Sequence, residues 1–240
     1  MVLILCLLIL VCTVTSWSQD NTPASTWRMH LPYNSVRDIV QVDQQLFVLS
    51  DVGVFIYNLP TGEVEYLTKV DGFSESFVSA LAYSELDKCV IMGYKSGNID
   101  LVKGERIINL AGIERSDIIG GKDIYEIKIS GHLAYLATPF GVVVVDLENE
   151  EIIDDYQNLG FGGISLAVRS LDILNDTLYI ATTEGLKYAP ANNPSVNLKN
   201  FSSWSTNTTY DSAYLIYAHN SGLYFVSDSL LYKYKNNRYS

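Results

Sequence analysis

Short apolar runs recur in pairs along the chain, and each pair is split by a few polar or turn-forming residues. Leu46 to Leu49 is followed by Val54 to Tyr57, Cys89 to Met92 by Ile99 to Val102, and Ala134 to Ala137 by Val142 to Val145. The same form returns in Leu178 to Ala181 with Leu186 to Ala189, and in Leu223 to Val226 with Leu230 to Tyr234. Apolar runs of this length, bounded by turn residues and rich in β-branched side chains, predict strands. Between the members of the pairs Gly53, Gly97, Gly141 and Gly185 stand 44 residues apart, and one more step lands on Ser229. Strand, glycine turn, strand is therefore the repeating unit. A fixed period of roughly 40–50 residues with several strands in it predicts the blades of a β-propeller. Val142 to Val145 is apolar at every position, which predicts a middle strand covered on both faces by neighbouring blades.

Each unit gains strands on either side of its central pair. Innermost strands are expected at Val36 to Val42, from Phe77-Val78, from Ile124, from Val168 and near Ala213. Outer strands are expected at Glu63 to Val70, Arg106 to Leu110 and Glu151 to Tyr156. Pro190 to Tyr210 is rich in Asn, Ser and Thr and reads as an extended loop with a poorly defined outer strand. The fifth unit should stop after its third strand. No stretch beyond residue 14 holds a 3.6-residue period, so almost no helix is expected. The fold class is thus all-β: four-stranded antiparallel blades of about 44 residues, four complete blades and a partial fifth. Trp27 to Leu31 alternates and predicts one more strand, the outer strand of a closing blade if the ring were to close on five.

The amino terminus departs from this pattern. Residues 2–14 are apolar and uncharged and are followed by Ser16-Trp17-Ser18, which predicts a secretory signal over residues 1–18 with cleavage before Gln19. Residues 19–26 read as a linker, leaving residues 27–240 as the propeller domain. Two of the three cysteines, Cys6 and Cys12, lie in the signal, so Cys89 is left as a small buried hydrophobe. The formal net charge of −11 excludes sequence-independent nucleic-acid binding, which needs a basic surface.

Candidate chemistry is sparse. His132 and His219 fall in equivalent hairpin turns and His30 in the first predicted strand, which reads as solvated turn residues with no metal site. Asp146 to Asp155 is the densest acidic run, but Glu151 stands where a calcium loop wants glycine, so a solvated hairpin tip is expected. No nucleophile elbow, phosphate loop or zinc-protease motif occurs, and no enzyme activity and no cofactor are expected. The repeat itself points to a site. The residue just after the first valine or isoleucine of each innermost strand should reach the channel mouth, which selects Arg37, Ser79, Tyr125 and Arg169. Two arginines with a tyrosine suit phosphate or sugar. The competing use for the arginines is an ion pair with Asp38 or Asp172.

Several segments resemble a known family: "GVFIYN" after Asp51-Val52, "TGEVEYL" from Thr61, "KVDGFSES" from Lys69, "GYKSGNIDLV" from Gly93, "GGKDIYEI" from Gly120 and "ATPFGVVVVDL" from Ala137. They are similar to the amino-terminal propeller family of PorZ, from the type IX secretion system of Bacteroidetes. "TTEGL" from Thr182 looks like the repeats of two-component-regulator propellers. The resemblance implies an exported protein of the periplasm or outer-membrane cell surface. It also implies a non-catalytic place in the attachment complex, with the sortase and anionic lipopolysaccharide as partners. It further implies a seven-bladed ring of which this chain would be a fragment. The alternative reading is the oligosaccharide-sensing propeller of a two-component regulator.

Overall fold

The computed structural model describes residues 35–207, 211–220, 222–235 and 238–239, and Tyr33–Ser240 form one compact unit. The expected signal, linker and Trp27 to Leu31 strand lie outside the described residues. Five antiparallel sheets of four strands follow one another in chain order. The first holds β1 (Val36–Val42), β2 (Gln45–Ser50), β3 (Gly53–Asn58) and β4 (Val64–Tyr66); the second β5 (Val78–Ser84), β6 (Cys89–Tyr94), β7 (Ile99–Lys103) and β8 (Arg106–Leu110). The third holds β9 (Glu126–Ser130), β10 (Leu133–Thr138), β11 (Gly141–Asp146) and β12 (Glu151–Gln157); the fourth β13 (Val168–Leu174), β14 (Thr177–Thr182), β15 (Gly185–Pro190) and β16 (Ser205–Asn207). The fifth holds β17 (Leu215–His219), β18 (Gly222–Ser227), β19 (Leu230–Lys235) and β20 (Arg238–Tyr239). The described helices are three-residue 3-10 turns.

Each gap between neighbouring sheets is filled by its own apolar cluster, because the pleat sends alternate side chains to opposite faces. Phe47, Leu49 and Val54 of blade 1 meet Val78, Leu81, Val90 and Met92 of blade 2. Ile91, Ile99 and Leu101 of blade 2 meet Leu136, Val143 and Val145 of blade 3. Val142 and Val144 turn the other way, toward Leu171, Leu178 and Ile180 of blade 4. The four valines are 0–2% exposed, as the unbroken apolar run predicts. Burying each is worth roughly 1.5–3 kcal/mol, and a blade standing alone would forfeit it on one face. The innermost strands pack in chain order, β1 on β5, β5 on β9, β9 on β13 and β13 on β17.

The glycine beat has a mechanical reason in three blades. Gly53, Gly141 and Gly185 open the third strand with φ of 148°, 142° and 94°. The hydroxyls of Ser50, Thr138 and Thr182, three residues earlier, donate to the carbonyls of these glycines at 2.8, 2.9 and 2.8 Å. Blade 2 departs from this, since Gly97 lies inside a longer turn and Ile99 opens β7. Blade 5 departs too: the position paired with Ser227 is Leu230 rather than Ser229, and Asp228 and Ser229 form the turn with positive φ.

Four expectations are corrected in detail. Blade 4 has a defined outer strand, Ser205–Asn207, paired with Leu186 to Tyr188. Its anchor is Trp204, 6% exposed, whose indole N–H donates to the Leu198 carbonyl at 2.9 Å. The outer strand of blade 1 ends at Tyr66 and gives way to a 3-10 turn at Lys69–Asp71, closed by a Thr68–Asp71 capping box. Blade 5 carries a fourth strand, the two-residue β20 on β19. The blade-3 innermost strand begins two residues after Ile124, although the Ile124 and Tyr125 N–H groups already donate to Tyr94 and Ala137 carbonyls.

Candidate functional site

The innermost strands begin with a recurring irregularity. Register shifts fall between Val36 and Asp38, Val78 and Ala80, and Val168 and Ser170, so Arg37, Ser79 and Arg169 each sit in a β-bulge. A bulge leaves one residue unpaired and re-aims its side chain. Tyr125 precedes β9 at the matching place. These four sequence-predicted residues line one cavity of about 570 Å³, together with Asp38 and Lys128. The sequence reading missed the fifth equivalent, Tyr214, which precedes β17 and closes an adjoining cavity of about 380 Å³ with Tyr125, Ala167 and Arg169. One more step of 44 past Arg169 lands on Ala213, the residue just before Tyr214.

The four candidates do not have equal freedom. Ser79 is tied into the frame: its hydroxyl lies 2.8 Å from the Ile124 carbonyl and 3.1 Å from that of Gly93. Arg37 pairs with Asp51, not with Asp38 as the ion-pair alternative proposed. Arg169 has no carboxylate partner among the described residues; its guanidinium carbon lies 5.3 Å from the centre of the Tyr214 ring, a cation–π contact. Tyr125 and Tyr214, from the blades before and after that of Arg169, are each 43% exposed.

Below the mouth, acceptors on one blade bind the bare strand edge of the next. Glu126 Oε2 accepts from the Ser170 hydroxyl at 2.6 Å and from the Leu171 N–H at 2.9 Å. Ser170 Oγ accepts in turn from the Ile216 N–H at 3.0 Å, and Asp172 Oδ2 from the Ala218 N–H at 2.7 Å. An innermost strand has one unpaired edge, and these side chains satisfy it where no further strand can. Lys128 lies among the carboxylates, 3.2 Å from Glu126 and 3.8 Å from Asp172. Burial alone would depress its ammonium, but the neighbouring Glu126 and Asp172 charges outweigh that and raise it.

At the opposite end of the blades, two expectations of mere solvation are corrected. His132 Nδ1 lies 2.6 Å from Asp87 Oδ1, and Glu150 pairs with Lys103 and Arg106, so blade 3 turns are latched to blade 2. The hydrogen bond that Asp87 accepts holds the His132 imidazole above its usual value. Burial would raise the Asp87 carboxyl, yet hydrogen bonds from Ser84 and His132 together hold it below the usual range. A raised histidine contributes stability below its unfolded value of about 6.5 and loses it as pH rises through the folded value. The depressed Asp87 loses its contribution as pH falls through its own folded value. The His132→Ala variant should therefore melt below the parent at pH 6 and together with it well above the folded imidazole value. Equal melting at both pH values would remove the latch. No group of His, Cys, Asp and Glu among the described residues could hold a metal ion.

Face-to-face packing of four-stranded antiparallel sheets in chain order, with bulged innermost strands converging on a mouth, defines a β-propeller. The chain belongs to the family of type IX secretion system PorZ N-terminal β-propeller domains, which it matches over residues 46–205. Among solved structures it is similar to PorZ of Porphyromonas gingivalis, described as an essential bacterial surface component of the type IX secretion system. Identity there is 21% and the TM-score 0.70, over 84% of this chain and 27% of that one. It is also similar to the extracellular domain assigned to a hybrid two component system of B. thetaiotaomicron, at 17% identity and TM-score 0.61, over 82% and 27% of the two chains. A computationally designed protein, Ika8, shares the fold at 13% identity and TM-score 0.59, over 82% and 57%. The chain thus spans about a quarter of the length of the two bacterial proteins, and the likenesses speak for the fold. No curated protein matches the chain.

Proposed function

We propose that the chain is an exported, non-catalytic propeller component of the type IX secretion system, acting in its cell-surface attachment complex. In this reading the signal over residues 1–18 directs export, and no described helix is long and apolar enough to cross a membrane. The mouth binds anionic lipopolysaccharide and presents it to the sortase. The observation that carries the reading is the convergence of Arg37, Tyr125, Arg169 and Tyr214, from four blades of a PorZ-family propeller, on adjoining cavities. A guanidinium without a carboxylate partner, flanked by two half-exposed tyrosines, offers a charge-assisted contact to phosphate and aromatic faces to sugar rings.

The test is binding of the chain to immobilised anionic lipopolysaccharide. The Arg37→Ala/Arg169→Ala double variant should lose affinity by about 10- to 100-fold, the effect of removing two charge-assisted contacts. Unchanged affinity in a variant that melts like the parent would overturn the assignment of the mouth. A second reading is supported by the likeness to extracellular domains of two component systems: the mouth senses an oligosaccharide. Neutral and anionic polysaccharides compared side by side separate the two, since a sensor of neutral glycan would bind both alike.

A further inference from the structure

We infer that the mouth is built for a dipolar ligand, a sugar bearing both an anionic group and a free amine, with the anion at Arg169 and the amine at Asp38. This rests on the reading of the mouth as a saccharide-anion site and narrows the ligand.

The inference comes from the order of charges down the cavity. Five equivalent positions form its rim: Arg37, Ser79, Tyr125, Arg169 and Tyr214. One and three residues further along the innermost strands stand Asp38, Glu126, Lys128 and Asp172. So two carboxylates and one ammonium line the cavity with the two arginines, and Asp172 stands 3.8 Å from that ammonium. Most of these charges are already spoken for. Arg37 is paired with Asp51. Lys128 is shared by Glu126 and Asp172, whose remaining contacts are the hydroxyl and N–H groups of blades 4 and 5. Two charges are left over. Among the described residues Arg169 meets the Tyr214 ring and no carboxylate, and Asp38 accepts a hydrogen bond only from the Ile39 N–H, at 2.8 Å on Oδ1. Asp38 has no ion-pair partner among the described residues, yet it lines the same cavity as Arg169. A partial loss of solvent raises its carboxyl above the usual value, against the weaker effects of the Ile39 N–H and then of the Lys128 charge. An incoming ammonium would restore what that desolvation takes away.

The same order restricts what can enter. A second anionic group would meet Asp38 and Glu126 and be held at the rim. A group with a cation reaching past the rim gains where a bare anion does not. Tyr125 and Tyr214 line the adjoining cavity with Arg169, and aromatic side chains suit a pyranose. Cavities of about 570 and 380 Å³ suit one or two sugar units rather than an inorganic ion.

The experiment is isothermal titration calorimetry of the full chain with glucosamine 6-phosphate and with glucose 6-phosphate, which differ only in amine against hydroxyl. Glucosamine 6-phosphate is expected to bind about tenfold more tightly, the scale of one partly solvated charge pair. In Asp38→Asn the ratio of the two affinities should fall to near one, in Asp38→Glu it should persist, and Arg169→Gln should weaken both sugars. Equal affinity of the unaltered chain for the two sugars would overturn the dipolar inference while leaving the anion reading standing. Binding of neither would overturn both. The comparison on the unaltered chain decides even if a variant fails to fold.

Discussion

Gly141→Ala is expected to unfold the chain or to destabilise it by about 3 kcal/mol or more, the range of severe core clashes and backbone strain. A Cβ at this position would lie 1.9 Å from the Tyr156 carbonyl oxygen and 3.0 Å from its carbon, and the backbone φ is +142°. The obstruction is backbone of the neighbouring strand β12, so no side chain can rotate away. Gly131→Ala is the control. Gly131 also has positive φ, +60°, but nothing lies within 4 Å of its Cβ. That change should cost only about 1 kcal/mol, from backbone conformation alone. Denaturant midpoints of the two variants check the contrast. Equal midpoints would mean that φ alone, and not the close pairing of β11 with β12, explains the repeated glycine.

The second large effect is expected at Asp100, 0% exposed on β7. Its carboxylate accepts from the Tyr94 hydroxyl at 2.7 Å, from the Ser74 N–H at 2.8 Å and hydroxyl at 2.6 Å, and from the Asn109 amide at 2.9 Å. Burial first, and Asp100 second, push the Tyr94 phenol well above its usual value, so it remains a donor at physiological pH. The cluster ties the connection from blade 1 to blade 2, through Ser74, into the middle of blade 2. Asp100→Ala would strand the buried Tyr94 hydroxyl and release the half-buried Ser74 and the exposed Asn109, and should cost about 3 kcal/mol. Tyr94→Phe removes one donor and should cost about 1 kcal/mol. Chemical denaturation of both single variants and the double measures the coupling. If Asp100→Ala costs no more than Tyr94→Phe, the cluster does not hold the connection.

The sequence carried the strands because the blade interfaces bury both faces of the middle strands, which leaves unbroken apolar runs such as Val142 to Val145. It carried the mouth because equal blades place equal positions together, so counting from each innermost strand brought out Arg37, Ser79, Tyr125 and Arg169. Tyr214 holds the equivalent place but follows Ala213, so a count that starts from the first valine or isoleucine of each innermost strand passes it by. The Ser205–Asn207 strand was hidden by its composition: a three-residue strand of Ser, Thr and Asn has no apolar alternation. The partners of charged groups were not legible either. Asp51 for Arg37, Asp87 for His132 and Lys103 for Glu150 lie 14, 45 and 47 residues away. The first pair depends on the bulged register within blade 1, and the other two on the rotation of one blade relative to the next.

Hydrogen–deuterium exchange of the chain, with and without the anionic polysaccharide, tests the central claim most directly. The mouth reading predicts added protection at the starts of the innermost strands, around residues 36–38, 125–126, 168–170 and 214–215. It predicts none at the opposite turns around Asp87, His132 and Glu150. Protection confined to those opposite turns, or none anywhere at a saturating ligand concentration, would contradict it.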